Sequence, residues 1–324
     1  MPLRIALTGA TGFVGKTLLP KLLDAGHDVK ALVRDPAKLS AQPRLIAVRG
    51  ALDNTMALSE LVKDTDVVVH VAGVISAPSQ HGFIKGNVDG TRNLAHAARE
   101  AAVPRFVHIS SLAATEPTLG NYGASKFAAE NVLRDLMGSR QLCILRPSAV
   151  YGPGDTATLP LLKALLSATA LLPGTRRNRF GMIQVDDLAR IIADAATTGQ
   201  PGTFELDDTQ GGHTWPELVN VTQHSFGTPR RVVYIPRALA MGLGYAGDVA
   251  TRLTGKPALA RSGQIRQLYH QDWLCKPPGW PRENPILLAE GLPQTIRWYQ
   301  AQGLLPRTDR DDTSTPSRSN RTTS

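Results

Sequence analysis

The chain has 324 residues, of which 42% are hydrophobic and 19% charged, and its formal net charge is +9. This composition is typical of a globular protein that buries one large core or two smaller ones. The basic residues are scattered, and their densest group is Arg176, Arg177 and Arg179, so nucleic-acid binding is not predicted. The positive balance suits anionic cofactors or substrates.

Cysteine usage and hydropathy exclude further classes. Cys143 and Cys275 lie in unrelated contexts and the eight histidines show no ligand spacing, so neither a disulfide framework nor a metal site is predicted. The chain enters strand-like residues at once and shows no signal peptide. Its longest apolar stretch, 159–174, is too short to span a bilayer and is broken by Lys163. We expect a cytoplasmic protein.

The first half of the chain alternates short buried strands with helical patterns. Helices are predicted, for example, at 16–26 and 91–101. Between them, continuous β-branched runs predict strands that are covered on both faces, at 4–9, 28–34, 66–73, 105–111 and 141–147. This alternation predicts an α/β fold with an open, doubly wound parallel sheet.

Beyond about residue 155 the pattern loosens. A short strand entering a helix is predicted at 180–195, and another strand at 202–208. A helix is predicted at 214–227, with Thr214 as its cap and Pro216 in its first turn. Proline and glycine recur through residues 228–306, which we interpret as a smaller, mostly helical second domain. The tail, 307–324, has no apolar residue to anchor it and is expected to be disordered.

A glycine-rich loop follows the first strand and opens the first helix. Gly9 permits the tight turn, Gly12 allows backbone to approach a pyrophosphate, and Gly15 allows the helix to pack on the strand. The helix N-terminus then offers free N–H groups to the anion. The loop therefore predicts a dinucleotide site that is formed by Gly9, Thr11, Gly12, Phe13, Val14 and Gly15.

The end of the second strand selects between cofactors. An acidic residue there would bind the 2′-hydroxyl of NAD, whereas an arginine accommodates the 2′-phosphate of NADP. Arg34 occupies this place, so NADP is favoured, with NAD as the alternative. Asp35 is better explained as a helix cap before Pro36. Downstream, Asp53 is positioned to reach the adenine amino group.

Tyr122 and Lys126 are four residues apart and share one face of a helix. Taken alone, the pair is most simply explained by a surface helix that happens to carry both residues. Its significance depends on the motifs around it.

Taken together, the motifs resemble the extended branch of the short-chain dehydrogenase/reductase superfamily, with its NAD-dependent epimerase/dehydratase-like proteins. The similarity runs over roughly residues 3–210. The segments that carry it, in the family's order, are TGATGFVG (8–15), HVAG (70–73), NVDGTRNLAHAA (87–98), FVHISS (106–111), YGASK (122–126), RPSAVYGPGD (146–155) and VDDLA (185–189). The resemblance implies a Rossmann-type domain at 1–155 with later contributions from about 180–208, and a substrate-binding region at 156–306.

The resemblance also implies a catalytic set of Ser111, Tyr122 and Lys126. Tyr122 would exchange a proton with the substrate oxygen. Lys126, helped by the positive nicotinamide ring, would lower the tyrosine pKa and would also hold the ribose hydroxyls. Ser111 would bond the substrate oxygen, and strand alignment favours it over Ser110.

Further positions are assigned on the same resemblance. Asn87 would either support a catalytic water or cap its helix. Asp186 and Asp187 are interpreted as structural. Ala72 and Gly73 belong to a segment that is expected to line the cofactor, and Pro147 and Val150 are expected to pack on the nicotinamide.

The residues directly after the serine narrow the reaction. Family dehydratases carry an Asp-Glu pair there, and this chain has Leu112, Ala113 and Ala114, so dehydration is not expected. Epimerases of the family hold NAD and usually carry an acidic residue at the end of the second strand, so Arg34 makes an epimerase less expected. The leading hypothesis is an NADP-dependent oxidoreductase of a carbonyl or secondary alcohol, with a nucleotide-sugar epimerase or a non-catalytic NADP-binding assembly subunit as alternatives.

The expected partner is a small-molecule substrate, and an apolar substrate is one option. The weakly polar segment 235–253 would line an apolar pocket or lie on a membrane, and packing on its own domain is favoured over membrane contact. Relatives often dimerise through the helix that bears Tyr122, so a homodimer is a further expectation.

Overall fold

The computed structural model describes residues 1–307 except 210, 257, 259, 260 and 282. It contains fourteen strands in these residues: β1 (Arg4–Thr8), β2 (Asp28–Val33), β3 (Leu45–Arg49), β4 (Val67–His70), β5 (Phe106–Ile109), β6 (Leu142–Pro147), β7 (Ala149–Tyr151), β8 (Thr169–Pro173), β9 (Arg179–Phe180), β10 (Met182–Gln184), β11 (Gly202–Leu206), β12 (His213–Thr214), β13 (Arg231–Ile235) and β14 (Asp272–Trp273). The predicted disorder of the tail falls, from residue 308 onward, outside the described residues.

The α-helices of the described part alternate with these strands in the first half and dominate the C-terminal part. They are α1 (Phe13–Asp24), α2 (Thr55–Val62), α3 (Gln80–Phe83), α4 (Gly90–Glu100), α5 (Asn121–Leu136), α6 (Leu159–Leu166), α7 (Val185–Thr198), α8 (Trp215–Phe226), α9 (Arg237–Thr254), α10 (Ser262–Leu268) and α11 (Leu288–Ala301). A π-helical turn, Ile84–Asp89, joins α3 to α4. None of the described helices has the length and hydropathy that crossing a membrane requires.

Seven strands form one parallel sheet in the order β11-β6-β5-β4-β1-β2-β3. The strand order reverses between β1 and β4, and ligands of such sheets bind at the carboxyl ends of the strands beside this switch point. The structure confirms the predicted Rossmann-type α/β fold. It adds β3, an edge strand that the sequence prediction left out although its residues 45–48 are all apolar.

Both faces of this sheet are covered, as the apolar strands require. Leu18 and Leu22 of α1 and Leu188 and Ile192 of α7 lie in the core on one face. On the other face, α2, α4 and α5 contribute a second core that includes Leu58, Leu94 and Leu133. Helix α1 begins at Phe13, three residues before its predicted start, because Gly12 forms its N-cap.

A third apolar cluster joins the C-terminal elements. It includes Leu165 of α6, Leu172 of β8, Leu218 of α8 and Ile296 of α11. The predicted helix at 214–227 is confirmed, and Thr214 forms a capping box with Glu217 at its start. Strand β11 returns to the main sheet beside β6, so residues from the later part of the chain complete the sheet. The proposed domain boundaries remain predictions.

Candidate active site

The glycine-rich loop joins β1 to α1 at the carboxyl edge of the sheet. Gly9 has a φ of 80°, and a Cβ there would lie 2.6 Å from the Ala72 backbone nitrogen. A Cβ at Gly15 would lie 2.0 Å from the Gly9 carbonyl oxygen. Only glycine fits these two positions, because any side chain would push the backbone segments apart. Gly12 is exposed and its N–H donates to the Gly9 carbonyl at 3.0 Å.

The beginning of α1 fits an anionic ligand. Gly12 caps the helix without a side chain, and no acidic residue occupies the first turn. No side chain therefore caps the backbone N–H groups at this end, which remain available to an anion. Thr11, Phe13 and Val14 are half-buried around this end, and Val14 packs on the core beneath it. This arrangement fits the pyrophosphate of a dinucleotide.

Two arginines lie at the ends of neighbouring strands on the outer side of the site. Arg34 follows β2 and is exposed, and Arg49 ends β3 beside Val33. Asp35 accepts a hydrogen bond from the Ala37 backbone at 3.2 Å and caps a short helix, as predicted. Asp53 is exposed in the turn after β3. Arg49 was missed by sequence reasoning because β3 itself was missed.

A buried polar chain fixes β4 beside β1. The Thr8 hydroxyl lies 2.7 Å from His70 Nδ1, and His70 Nε2 lies 2.9 Å from the Thr91 hydroxyl of α4. The Ala72 N–H donates to Thr8 Oγ1 at 3.3 Å, so the same chain orients the backbone that leads to Gly73. Burial lowers the pKa of His70 to about 3, which keeps its ring neutral.

Asn87 lies inside the π-helical turn and does not cap a helix, so that alternative is wrong. Its side chain accepts from the Val74 N–H at 2.6 Å and donates to the Val74 carbonyl at 2.9 Å. It also donates to the Ser125 hydroxyl at 2.9 Å. Asn87 therefore ties the segment after Gly73 to helix α5, which carries Tyr122 and Lys126. A Cβ at Gly73 would meet both Asn87 Oδ1, at 3.4 Å, and Lys126 Nζ, at 3.7 Å.

Tyr122, Lys126 and Ser111 come together at the carboxyl end of β5. Burial raises the pKa of Tyr122, and a hydrogen bond with Ser111 opposes this shift. Lys126 is 4% exposed and its Nζ donates to the Ile109 carbonyl at 2.6 Å. Burial lowers the pKa of Lys126 to about 8.

The lowering of the Tyr122 pKa by Lys126 and the nicotinamide ring together stays a prediction, and the chain's own groups act in the opposite direction. Desolvation of the phenol dominates, and the ammonium is directed at a backbone carbonyl. At neutral pH the chain therefore presents Tyr122 as a protonated phenol, which is the state that can donate a proton.

A buried carboxylate, Glu130, ties helix α5 to two strand ends. It accepts hydrogen bonds from the hydroxyl of Ser110, from Arg134, and from Arg146 Nη2 at 2.6 Å. Burial alone would raise the pKa of Glu130, but the bonds from Arg146 and Ser110 outweigh it and hold the pKa below its ordinary value. Ser110 is thus directed away from Tyr122, while Ser111 faces it.

Sequence reasoning missed Glu130. Its position one turn beyond Lys126, on the same face of α5, was the available signal.

The loop after β6 closes the site from the other side. Pro147 is buried at the end of β6, and Val150 is half-buried in β7, where it pairs with Ile183. A Cβ at Gly154 would lie 3.9 Å from the Phe13 ring, so this loop reaches the glycine-rich loop. Asp187 accepts from the Ile286 N–H at 2.6 Å, and Asp186 pairs with Lys21 at 2.7 Å, consistent with structural roles.

A cavity of about 340 Å³ opens beside Tyr122. Helices α9 and α10 form its far wall with Asp248, Arg252, Arg261 and Arg266. Among the described residues, none of these arginines has a carboxylate within ion-pair distance. The apolar lining expected from 235–253 is therefore wrong, because α9 turns its polar residues inward.

These features define a nicotinamide dinucleotide site with a Ser-Tyr-Lys set at the edge of a Rossmann-type sheet. The sequence model of the NAD dependent epimerase/dehydratase family matches residues 5–206. The chain belongs to this family and is an NAD(P)-dependent oxidoreductase of the extended short-chain dehydrogenase/reductase type.

Several known proteins are similar along the whole chain. The ceramide reductase of Caulobacter vibrioides is 37% identical over 94% of this chain and 96% of its own length. The UDP-glucose 4-epimerase of Vibrio cholerae is 32% identical over 92% and 96%, respectively. Among solved structures, the Bordetella bronchiseptica enzyme WbmH in complex with NAD⁺ has a TM-score of 0.68, with 19% identity over 94% of this chain and 100% of WbmH. That structural likeness supports the fold alone.

Proposed function

We propose that the protein is an NADPH-dependent reductase of a ketone on a polar lipid of the ceramide type. The observation that carries the proposal is the half-buried, protonated Tyr122 at the wall of the cavity, hydrogen-bonded to Ser111. The substrate class is supported by the similarity to a ceramide reductase over nearly the full length of both chains.

The cofactor preference rests on the two arginines at the strand ends. Arg34 and Arg49 lie at neighbouring strand ends where the 2′-position of the adenine ribose would be, and a phosphate there would gain charge-assisted hydrogen bonds. Asp53, in the adjacent turn, would accept from the adenine amino group. Arg34→Ala should therefore raise the KM for NADPH by about tenfold or more while the KM for NADH changes little, since one such bond contributes about 1.5–3 kcal/mol.

In the proposed mechanism, NADPH supplies the hydride that reduces the carbonyl carbon. Ser111 hydrogen-bonds the carbonyl oxygen and holds it beside Tyr122. Tyr122 donates its phenolic proton to that oxygen as negative charge develops there. Lys126, together with Asn87 and Gly73, would hold the nicotinamide ribose, and its ammonium would stabilise the phenolate that remains.

Ala72, Pro147 and Val150 would line the nicotinamide in this proposal. Gly9, Thr11, Gly12, Phe13, Val14 and Gly15 would hold the pyrophosphate. These assignments are supported by their common location at the carboxyl edge of the sheet.

The test is NADPH oxidation by purified protein with 3-keto lipids of the ceramide type. Tyr122→Phe should lower kcat by about 10²–10⁴-fold, the range for loss of a general acid, with the Kd for NADPH nearly unchanged. Tyr234→Phe, which removes the same hydroxyl outside the cavity lining, is the matched control. Full turnover by Tyr122→Phe would refute the mechanism.

A nucleotide-sugar epimerase is the second candidate. Arg252, Arg261 and Arg266 favour it, because guanidinium groups that have no carboxylate partner in the described part of the chain suit a diphosphate in a substrate cavity. UDP-glucose should then raise the Tm and be converted without net oxidation of the cofactor, whereas the reductase consumes NADPH stoichiometrically. A chain that binds NADPH and performs neither reaction would be a non-catalytic binding subunit.

A further inference from the structure

Helix α9 exposes a row of large apolar side chains. Leu239, Leu243, Tyr245, Val249 and Leu253 have exposed fractions of 61%, 59%, 57%, 54% and 82%, respectively. Exposed apolar side chains are ordinary when single, but a contiguous group on one helix marks an interaction surface. We call this group the outer face of α9.

The three leucines of the outer face define one stripe along the helix, which Ala246 and Ala250 continue, and Tyr245 and Val249 lie to one side of it. Leu239, Leu243, Ala246, Ala250 and Leu253 recur at spacings of four and three residues, so they lie on the same side. The opposite side already has its partners. Ala240, Gly244 and Thr251 are buried, and a Cβ at Gly244 would lie 3.0 Å from the Ser262 backbone. The stripe therefore takes no part in packing α9 against the rest of the described residues.

Charge flanks the stripe on both ends and is absent within it. Arg237 begins the helix, Arg252 lies in its last turn, and Lys256 follows two residues after its end. The helix has one acidic residue, Asp248, whose carboxylate accepts from the Ser262 N–H at 3.4 Å on the inner side. Basic residues around an apolar stripe complement the anionic headgroups and acyl chains of a bilayer surface.

The inner side of the same helix forms a wall of the substrate cavity through Asp248, Thr251 and Arg252. A helix with its side chains is about 10–12 Å across, so a surface against the outer face lies one helix diameter from the cavity that holds Tyr122. A lipid substrate would then reach the cavity without crossing bulk water.

We propose that the outer face of α9 docks the protein on an anionic membrane surface. The helix lies in the plane of the interface, with Leu239, Leu243 and Leu253 among the acyl chains and Arg237 and Lys256, at its two ends, at the headgroups. The occupant is a bilayer surface containing anionic lipids. This proposal is independent of the reaction, because docking requires no turnover.

The test is flotation of the full-length chain with phosphatidylcholine vesicles that contain or lack phosphatidylglycerol. The chain should float with the anionic vesicles, and added salt should weaken binding. Leu243→Glu combined with Leu253→Glu should reduce binding by about tenfold or more, since both substitutions place charge in the apolar stripe. Met56→Glu combined with Ile46→Glu is the matched control, because those side chains are 81% and 59% exposed on α2 and β3.

A site-specific probe makes the outcome independent of charge. Val249→Cys, carrying an environment-sensitive fluorophore in a Cys275→Ser background, should shift its emission to the blue on anionic vesicles, whereas Met56→Cys should not. Equal vesicle binding by the wild type and the double Leu→Glu variant would overturn the proposal. Conversion of a dimer to a monomer by that variant, with no vesicle binding by the wild type, would assign the face to a second copy and also overturn it.

The reductase proposal and the membrane proposal fail separately. A chain that binds vesicles and reduces no ketone keeps the membrane surface and loses the proposed substrate class. A chain that reduces the ketone in detergent and ignores vesicles loses only the membrane surface.

Discussion

Replacing Glu130 with glutamine tests whether the buried carboxylate holds the active site together. Glu130 is fully buried, and it joins the helix that carries Tyr122 and Lys126 to Ser110 at the end of β5 and Arg146 at the end of β6. Glutamine keeps the shape of the side chain but removes its charge. It also turns one acceptor oxygen into an amide donor that faces the donors of Arg146 or Ser110.

The substitution leaves the Arg146 guanidinium without its main buried counter-ion. Removing one partner of a buried ion pair costs about 3–5 kcal/mol, because the remaining charge is uncompensated. Arg146 is 15% exposed and keeps Glu205 at 3.4 Å, so we expect the lower end, about 3 kcal/mol. That is a large part of the roughly 5–15 kcal/mol by which proteins of this kind are stable.

The stabilisation that Glu130 contributes depends on pH. The folded pKa of Glu130 lies below its ordinary value of 4.5, so its contribution is fully present above pH 4.5 and is lost as pH falls through the folded pKa. The difference in the free energy of unfolding between wild type and Glu130→Gln should therefore be largest at neutral pH and shrink below pH 4.5.

Urea denaturation at neutral and acidic pH measures this difference. Glu60→Gln is the matched control, because Glu60 is 63% exposed and lies 3.9 Å from Lys30, and such surface pairs contribute about 0–1 kcal/mol. The kcat of Glu130→Gln should also fall, since Glu130 joins the helix that carries Tyr122 to Ser110, the neighbour of Ser111 in the chain. A Glu130→Gln variant within about 1 kcal/mol of the wild type at neutral pH would refute the reasoning, because a broken buried pair costs several times more.

Three further predictions concern the cofactor loop and the buried ionisable groups. Gly15→Val should abolish NADPH binding in calorimetry, since a Cβ there meets the Gly9 carbonyl oxygen at 2.0 Å, whereas Gly242→Ala, with open space around it, should bind normally. Lys126→Met should raise the free energy of unfolding by about 3–4 kcal/mol below pH 8 while lowering kcat, because burial moves the lysine pKa from 10.5 to about 8 and each unit corresponds to about 1.4 kcal/mol. A less stable Lys126→Met variant would contradict this. His70 and His108 are buried, and burial lowers both pKa values from 6.5, so the unfolded chain binds more protons than the folded chain below that pH. The free energy of unfolding should therefore fall as pH drops from 6.5 toward 5, by up to about 1.4 kcal/mol per histidine per pH unit. His108→Phe should lose about half of this slope.

The local parts of the site were predictable because their geometry is short-range. The spacing of Gly9, Gly12 and Gly15 between a strand and a helix indicates a phosphate loop directly, since each glycine answers a steric demand within a few residues. Asp35 before Pro36 was likewise assigned correctly as a cap. The continuous apolar strands were enough to predict the parallel sheet.

The amino-acid sequence was enough to predict most of the alternating strands and helices of the first half, the glycine-rich loop between β1 and α1, and the shared helix face of Tyr122 and Lys126, because backbone preference and hydrophobic period act over neighbouring residues. The tertiary structure alone decided that Glu130 joins α5 to two strand ends, that Asn87 locks Val74, and that Arg49 lies near Arg34. Only the tertiary structure shows that polar residues of α9 line the cavity and that its leucines face outward. These contacts depend on which segments meet in the folded chain and on how far each group is desolvated there. The spacing of residues along the sequence specifies neither.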